Sequence, residues 1–338
     1  MSEIHETDVV VIGAGPVGLF SVFQLGMLKV QCHVVDALDV IGGQCAALYP
    51  EKPIYDIPGF PSIEGQQLID QLSEQAKPFA PTYHLNQQVI KLEKQDDGWL
   101  VKTSKQTQIK AKAIMIAAGC GAFGPNRPPL DGLDAYEESG CIQYLVTRKE
   151  AYRDKKVVIA GGGDSAVDWA VLLADIAEKV YVVHRRPKFR AMAETVDKMH
   201  ALADAGKIEM VIPYQLDALA GENGMLTGVQ VKDLEGNTKL LEADALLPFF
   251  GLAMDLGPIA DWGLGLHLSH ISVDASTCET NQKSIFAVGD IATYDKKLKL
   301  ILCGFSEAAM ASHAIRDIVY PDTAYHFEYS TSKGVSAA

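Results

Sequence analysis

Asp8-Val-Val-Val-Ile-Gly-Ala-Gly-Pro-Val-Gly18 is a short β-branched run that breaks into a glycine turn. The chain repeats the phrase in Lys156-Val-Val-Ile-Ala-Gly-Gly-Gly-Asp-Ser-Ala166. A helical stretch follows each, and then a second apolar strand. The first unit ends at His33-Val34-Val35-Asp36 and the second at Tyr181-Val182-Val183-His184. Strand, helix and strand in this order predict a parallel sheet with a right-handed crossover, twice over.

Short strands separated by turn signals come after each unit. In the first half they are expected at 88–93, 99–103 and 108–118, with a turn at Asp96-Asp97-Gly98. In the second half they are expected at 226–233 and 239–250, around Glu235-Gly236-Asn237. Each run closes on a glycine, Gly119 or Gly251. The fold class is therefore α/β, with two Rossmann-like dinucleotide-binding domains of the three-layer ββα kind. The segment beyond about residue 250 is too short to stand alone. It is expected to rejoin the first domain, giving one domain of 1–119 plus 250–338 and a second, 120–249, inserted into it.

Gly13-x-Gly15-x-x-Gly18 lies between strand and helix. The first glycine permits the tight turn, the second lets a pyrophosphate approach the backbone, and the third lets helix and strand pack. The helix N-terminus offers free N–H groups and a positive dipole end to phosphates, with Val17 in its first turn. Asp36 ends the next strand, 18 residues after Gly18. A carboxylate there accepts from ribose hydroxyls and repels a 2′-phosphate, so this site suits FAD or NAD. Further on, Ser284-Ile-Phe-Ala-Val-Gly-Asp290 leads toward an expected helix at 307–319. The segment resembles one in FAD enzymes of the disulfide-reductase class, and that resemblance implies that Asp290 lies against the flavin ribityl chain and pyrophosphate. An Asp cap on an ordinary turn is the plain alternative.

Gly161-x-Gly163-x-x-Ala166, with Asp164 and Ser165, opens a second helix expected at 165–177. The next strand ends in His184-Arg185-Arg186, with Lys188 and Arg190 close behind, and no acid stands where Asp36 stands in the first half. Guanidinium groups grip a phosphate in bidentate fashion, so this site is expected to select NADP(H). A solvated basic loop is the alternative. One FAD site and one NADPH site imply hydride transfer to flavin, chemistry the cofactors carry.

The bulk composition agrees. The chain has 338 residues, 48% hydrophobic and 22% charged, room for two packed domains. A net charge of −13 argues against nucleic acid or an anionic membrane as partner. No apolar run of about 18 residues appears, so no membrane span is expected. The acidic start runs straight into a strand, so no signal peptide is predicted and a cytoplasmic location is expected. The six cysteines show neither Cys-x-x-Cys nor zinc-ligand spacing, so reduced thiols and no metal are expected.

Two further segments resemble the ferredoxin–NADP⁺ reductases built on the thioredoxin-reductase scaffold. One is Ile41-Gly-Gly-Gln-Cys-Ala-Ala-Leu-Tyr-Pro-Glu-Lys-Pro-Ile-Tyr-Asp-Ile-Pro-Gly-Phe60. The other is Gly161-Gly-Gly-Asp-Ser-Ala-Val-Asp-Trp-Ala170 with His184-Arg-Arg-Pro-Lys-Phe-Arg190. The match runs from about residue 8 to Thr331. The resemblance implies that Gln44 hydrogen-bonds near the flavin and Tyr49 stacks on one isoalloxazine face. It implies that Val89 meets the adenine by its backbone and Phe123 packs at the flavin–domain junction. Tyr329, followed by Thr331, would lie over the other face, where some relatives carry His or Phe. Plain packing is the alternative for these aromatics. Thioredoxin reductases carry Cys-x-x-Cys in the NADPH domain. Here Cys141 is followed by Ile-Gln-Tyr, so no dithiol relay is expected.

The expected activity is electron transfer between NADPH and ferredoxin or flavodoxin through FAD, in a homodimer. Lys296, Lys297 and Lys299 form a basic run that would dock an acidic carrier, or are a bland exposed loop. Two other readings are open. One is an NADPH-dependent reductase of quinone, ferric chelate or oxygen. The other is a flavin-based redox sensor without turnover.

Overall fold

The computed structural model describes residues 4–323, 331 and 334, with the side chains at 122, 123 and 252–254 left aside. The chain forms two compact units, Met1–Ala122 with Met254–Ala338, and Phe123–Ala253.

In the first unit the strands Thr82–His84, Cys32–Val35, Ile4–Ile12, Gln108–Ile116 and Ile285–Ala287 lie parallel in that order. The opening half of Gln108–Ile116 also pairs antiparallel with Gly98–Thr103, which pairs with Val89–Gln95. Successive side chains of a strand face opposite ways, and both faces here are apolar. Val9, Val11, Ala113 and Met115 pack against Val22 and Leu25 of the helix Pro16–Met27 and Ala308, Ala311 and Ile315 of the helix Ile301–Val319. Val10, Ile12, Ile114 and Ile116 share the other core with Trp99 and Val101 of the meander. A parallel sheet covered on both faces needs strands apolar throughout, which is why they read as unbroken β-branched runs.

The second unit repeats this plan. The strands Ile208–Val211, Lys179–Val183, Lys156–Ala160 and Ala245–Pro248 run parallel. Val157 and Ile159 face the helix Asp164–Leu173, and Val158 and Ala160 face the meander through Val229, Val231 and Leu241.

Four sequence expectations are corrected. The run 239–250 is two strands, Thr238–Glu242 and Ala245–Pro248. The chain leaves the meander at Asp244, whose backbone and carboxylate both bond Lys156, each at 2.8 Å, and there enters the parallel sheet. A meander strand, Gln215–Glu222, precedes the two that were expected. The last helix begins at Ile301 rather than 307, because Gly304 lies inside it and acts as a contact residue instead of a breaker. The helix expected at 165–177 spans Asp164–Leu173.

At one sheet edge His84 Nε2 lies 3.0 Å from His33 Nδ1. Burial, then the His84 and His5 imidazoles, push His33 down to about 4, and burial, then His5, lowers His84. A depressed folded value means the neutral form is the folded one. Stability is then complete above the unfolded value of about 6.5 and is lost as pH falls toward 4. The melting temperature is expected to drop across this window. With His33→Gln the drop should be shallower by roughly 2 °C, allowing for screening at a half-exposed edge. Parallel melting-temperature curves of the two proteins from pH 7 to 4 would dismiss the pair as the cause.

Candidate functional site

The two glycine turns are built on the same hydrogen bonds. Gly13 N–H donates to Val35 O at 2.8 Å, and Gly161 N–H donates to Val183 O at 3.0 Å. Ala117 N–H donates to Ile12 O, and Phe249 N–H to Ala160 O, each at 2.8 Å. Asp36 and His184 therefore occupy equivalent positions, one residue past the strand end, beside equivalent turns.

Most of the glycines are explained by packing. A Cβ on Gly13, at φ +110°, would lie 2.4 Å from Ala117 O, and one on Gly18 would lie 2.0 Å from Gly13 O. The second turn carries Ala166 at the matching place, fully buried, and Gly161 there has φ +158°. The middle glycines differ. Gly15 has φ −70° and Gly163 has φ −97°, which any residue adopts. A Cβ would meet nothing closer than 3.9 Å at Gly15 and 4.0 Å at Gly163. The protein itself gives no reason for glycine at either position. Each is the N-cap of its helix with no side-chain cap bond, so bare amides face open space. A dinucleotide pyrophosphate fits that requirement at both sites.

At the first site Asp36 accepts Ala14 N–H at 2.6 Å on Oδ2 and Leu38 N–H at 2.8 Å on Oδ1. These bonds aim the carboxylate across the mouth of the turn, and each oxygen keeps a lone-pair position for a ribose hydroxyl. Burial holds its protonation value above the usual, against the pull of the two amides.

The short helix Gly43–Ala47 carries Gln44 and buried Cys45. Gln44 Nε2 reaches to 3.5 Å from a Cβ position on Gly119, and its side chain bonds Cys120. Tyr49 is half-buried, with Cys45 Sγ 3.6 Å from its hydroxyl. Burial, then the Cys45 thiol, keeps the Tyr49 phenol far above its ordinary value. Tyr49 is thus a neutral flat ring and a hydrogen-bond donor, never a base at physiological pH. Val89 is buried at the start of its strand, and half-buried Asp290 stands on the turn Gly289–Ile291. Val17 turns its side chain inward, onto Gly289 and Gly304. Phe123 lies on the strand Ala122–Pro125, but its side chain is outside the described ones, as is all of Tyr329; Thr331 is exposed.

The second turn opens on a cleft of about 1010 Å³ lined by Gly161, Gly162, Gly163, His184, Arg185, Arg186, Lys188 and Arg190. Tyr214, Gln215, Leu216 and Phe249 close its walls. The volume suits a nucleotide. The His184 ring covers Gly162, where a Cβ would meet the ring at 2.2 Å. Arg190 N–H donates to Gly162 O at 2.6 Å, and Asp164 Oδ1 accepts Met192 N–H at 3.0 Å. The basic loop is thereby clipped onto the glycine turn rather than left to solvent. Burial, then the charges of Arg185, Arg186 and Arg190, leaves His184 below its ordinary value and neutral at pH 7, against the upward pull of its hydrogen bond to the Lys188 backbone. The positive charge belongs to exposed Arg185, Arg186, Lys188 and Arg190. Ser165 is exposed at the helix start.

Sequence reasoning missed Tyr214, Gln215 and Leu216, which lie at the start of the unexpected strand. It also misread Lys297. That ammonium is ion-paired to Glu307, with side chains only 4% and 1% exposed. Lys297 is therefore no part of a docking surface, and the exposed cations of the run are Lys296 and Lys299.

Comparison with known proteins points one way. The family model for pyridine nucleotide-disulphide oxidoreductases matches residues 7–315. The chain is 60% identical over 332 residues to a ferredoxin–NADP reductase of Paramagnetospirillum magneticum, covering 98% of each. It is 60% identical over 335 residues to one of Acidiphilium cryptum, covering 99% of each. Among solved structures, thioredoxin reductase of T. acidophilum superposes with a TM-score of 0.80 at 22% identity, over 93% of this chain and 98% of that one. Thioredoxin reductase of Lactococcus lactis gives 0.80 at 23%, over 93% and 99%. At such identity these two speak for the fold alone.

Proposed function

This chain belongs to the pyridine nucleotide-disulphide oxidoreductase family, and from that premise we propose that it transfers electrons between NADPH and ferredoxin through FAD. The observation that carries the reading is the pair of matched turns, one followed by Asp36 and the other by His184-Arg185-Arg186. The relatives' name, ferredoxin–NADP reductase, supplies the carrier.

FAD, when bound, would supply two-electron exchange with NADPH and one-electron exchange with the carrier. The chain's own residues hold and select. Asp36 orients the adenosine ribose of FAD and refuses a 2′-phosphate. Gly15 and Gly163 leave room for the two pyrophosphates. Arg185 and Arg186 take the 2′-phosphate of NADPH, with Lys188 and Arg190 beside them. Gln44, Tyr49, Val89, Phe123, Asp290, Tyr329 and Thr331 serve the flavin in the roles given above. Domain boundaries near 119 and 250, a homodimer and a cytoplasmic location belong to the same reading. Among the described residues no helix is long and apolar enough to cross a membrane.

The test is anaerobic titration of the yellow protein, first with NADPH and then with oxidised ferredoxin or flavodoxin. Bleaching by NADPH and recovery on adding the carrier are expected. A flavin that NADPH never bleaches would leave a sensor instead. With Lys296 and Lys299 as the docking cations, ferredoxin reduction should slow about tenfold between low and roughly 0.5 M salt. A rate indifferent to salt removes these two lysines from docking.

A further inference from the structure

The first glycine turn and the turn that carries Asp290 are both touched by one helix. Within Ile301–Val319, a Cβ on Gly304 would sit 2.4 Å from Val17 Cγ2 and 3.3 Å from Gly289 Cα. Glu307 follows nearly one turn later on the same face and is 1% exposed. Its Oε2 accepts Gly289 N–H at 2.7 Å. Its Oε1 accepts Tyr294 O–H at 2.8 Å and an ammonium hydrogen of Lys297. Among the described residues this is the one ion pair with both side chains almost wholly buried.

Taking a carboxylate and an ammonium out of water costs several kcal/mol per ion before their attraction offsets it, and apolar side chains of the same size often stabilise a core as well or better. Stability alone therefore does not account for Glu307. Apolar side chains would lack an acceptor for Gly289 N–H. Gly289 stands at φ +76° and opens the short turn that carries Asp290. On the other side Val288 N–H donates to Ile116 O of the sheet at 2.9 Å. The turn is thus held between sheet and helix, and its helix-side attachment is this carboxylate.

We infer that Glu307 is a positioning residue for the flavin. It acts through the Gly289 amide to fix the direction of Asp290, and Lys297 and Tyr294 hold its carboxylate in place. The inference rests on the reading of this site as the FAD site. Burial, then the bond to Glu307 and its charge, push the Tyr294 phenol well above its ordinary value.

The test compares two double variants in the full chain by FAD dissociation constant and apoprotein melting temperature. Glu307→Leu/Lys297→Met removes the ion pair and the acceptor together. Glu307→Gln/Lys297→Met removes the ion pair but keeps an oxygen for Gly289 N–H. The leucine variant should bind FAD at least about tenfold more weakly, the size of a lost hydrogen bond to a charged acceptor. The glutamine variant should stay within about threefold of wild type. In an Asp290→Ala background the leucine pair should cost nothing further, since it acts through Asp290. Wild-type affinity in the leucine variant, equal losses in both, or additivity with Asp290→Ala would each overturn the inference. Should the leucine variant not fold, the glutamine variant decides alone, retained affinity supporting the role and lost affinity refuting it. A wild-type protein without FAD would instead sink the flavin reading itself.

Discussion

Replacing Arg185 and Arg186 together by alanine is expected to lower kcat/KM for NADPH by about two to four powers of ten, at about 1.5–3 kcal/mol for each hydrogen-bonded charge lost. NADH should be used about as well as before, since its ribose carries no phosphate for the guanidinium groups to meet. Both side chains are exposed, so their removal should leave the melting temperature nearly unchanged. Neutral His184, pinned over Gly162, cannot replace the lost charge. Lys188 and Arg190 line the same cleft and limit how large the loss can be. The measurement is the ratio of the two specificity constants in wild type and variant. An unchanged ratio would show that the basic loop is not the phosphate-reading element.

Gly18→Ala is expected to yield protein that purifies with less than about a tenth of the wild-type flavin, because small-to-large changes against unyielding neighbours cost 1–3 kcal/mol or more. The new Cβ would lie 2.0 Å from Gly13 O, and the nearest atoms are backbone, not the end of a flexible side chain. Gly13 cannot retreat, since its own turn lies against Ala117 O. The helix must then shift and take its N-terminal amides off the pyrophosphate position. The reverse change in the second unit is the control. Ala166→Gly should alter NADPH affinity by no more than about threefold, because it takes away a buried methyl group and introduces no clash at the second turn. Absorbance of the flavin relative to protein, with FAD and NADPH titrations, checks both. A fully yellow Gly18→Ala protein would mean that the close approach seen here is not needed for cofactor retention.

Much of the nucleotide chemistry was legible in the sequence because it is local. Strand, glycine turn, helix and the residue ending the next strand lie within about 30 residues, the length of one βαβ unit. Spacing alone put Asp36 and His184 beside their turns. Reading failed where a residue's role depends on a distant partner. The last helix was expected only from 307, yet it begins at Ile301, with Gly304 inside it against Val17. Lys297 reads as a surface cation with its neighbours, yet it is buried against Glu307. Asp244 marks a change of layer only because Lys156 lies alongside.

The sequence by itself determined the repeated dinucleotide fold and the opposite charges beside its two glycine turns, since backbone conformation and formal charge are properties of a short segment. Tertiary structure alone decided which cations stay in water and which glycines face open space rather than a neighbouring atom. It also decided how Asp290 is held. These depend on desolvation and close packing, and both are set by atoms brought together from far apart in the chain.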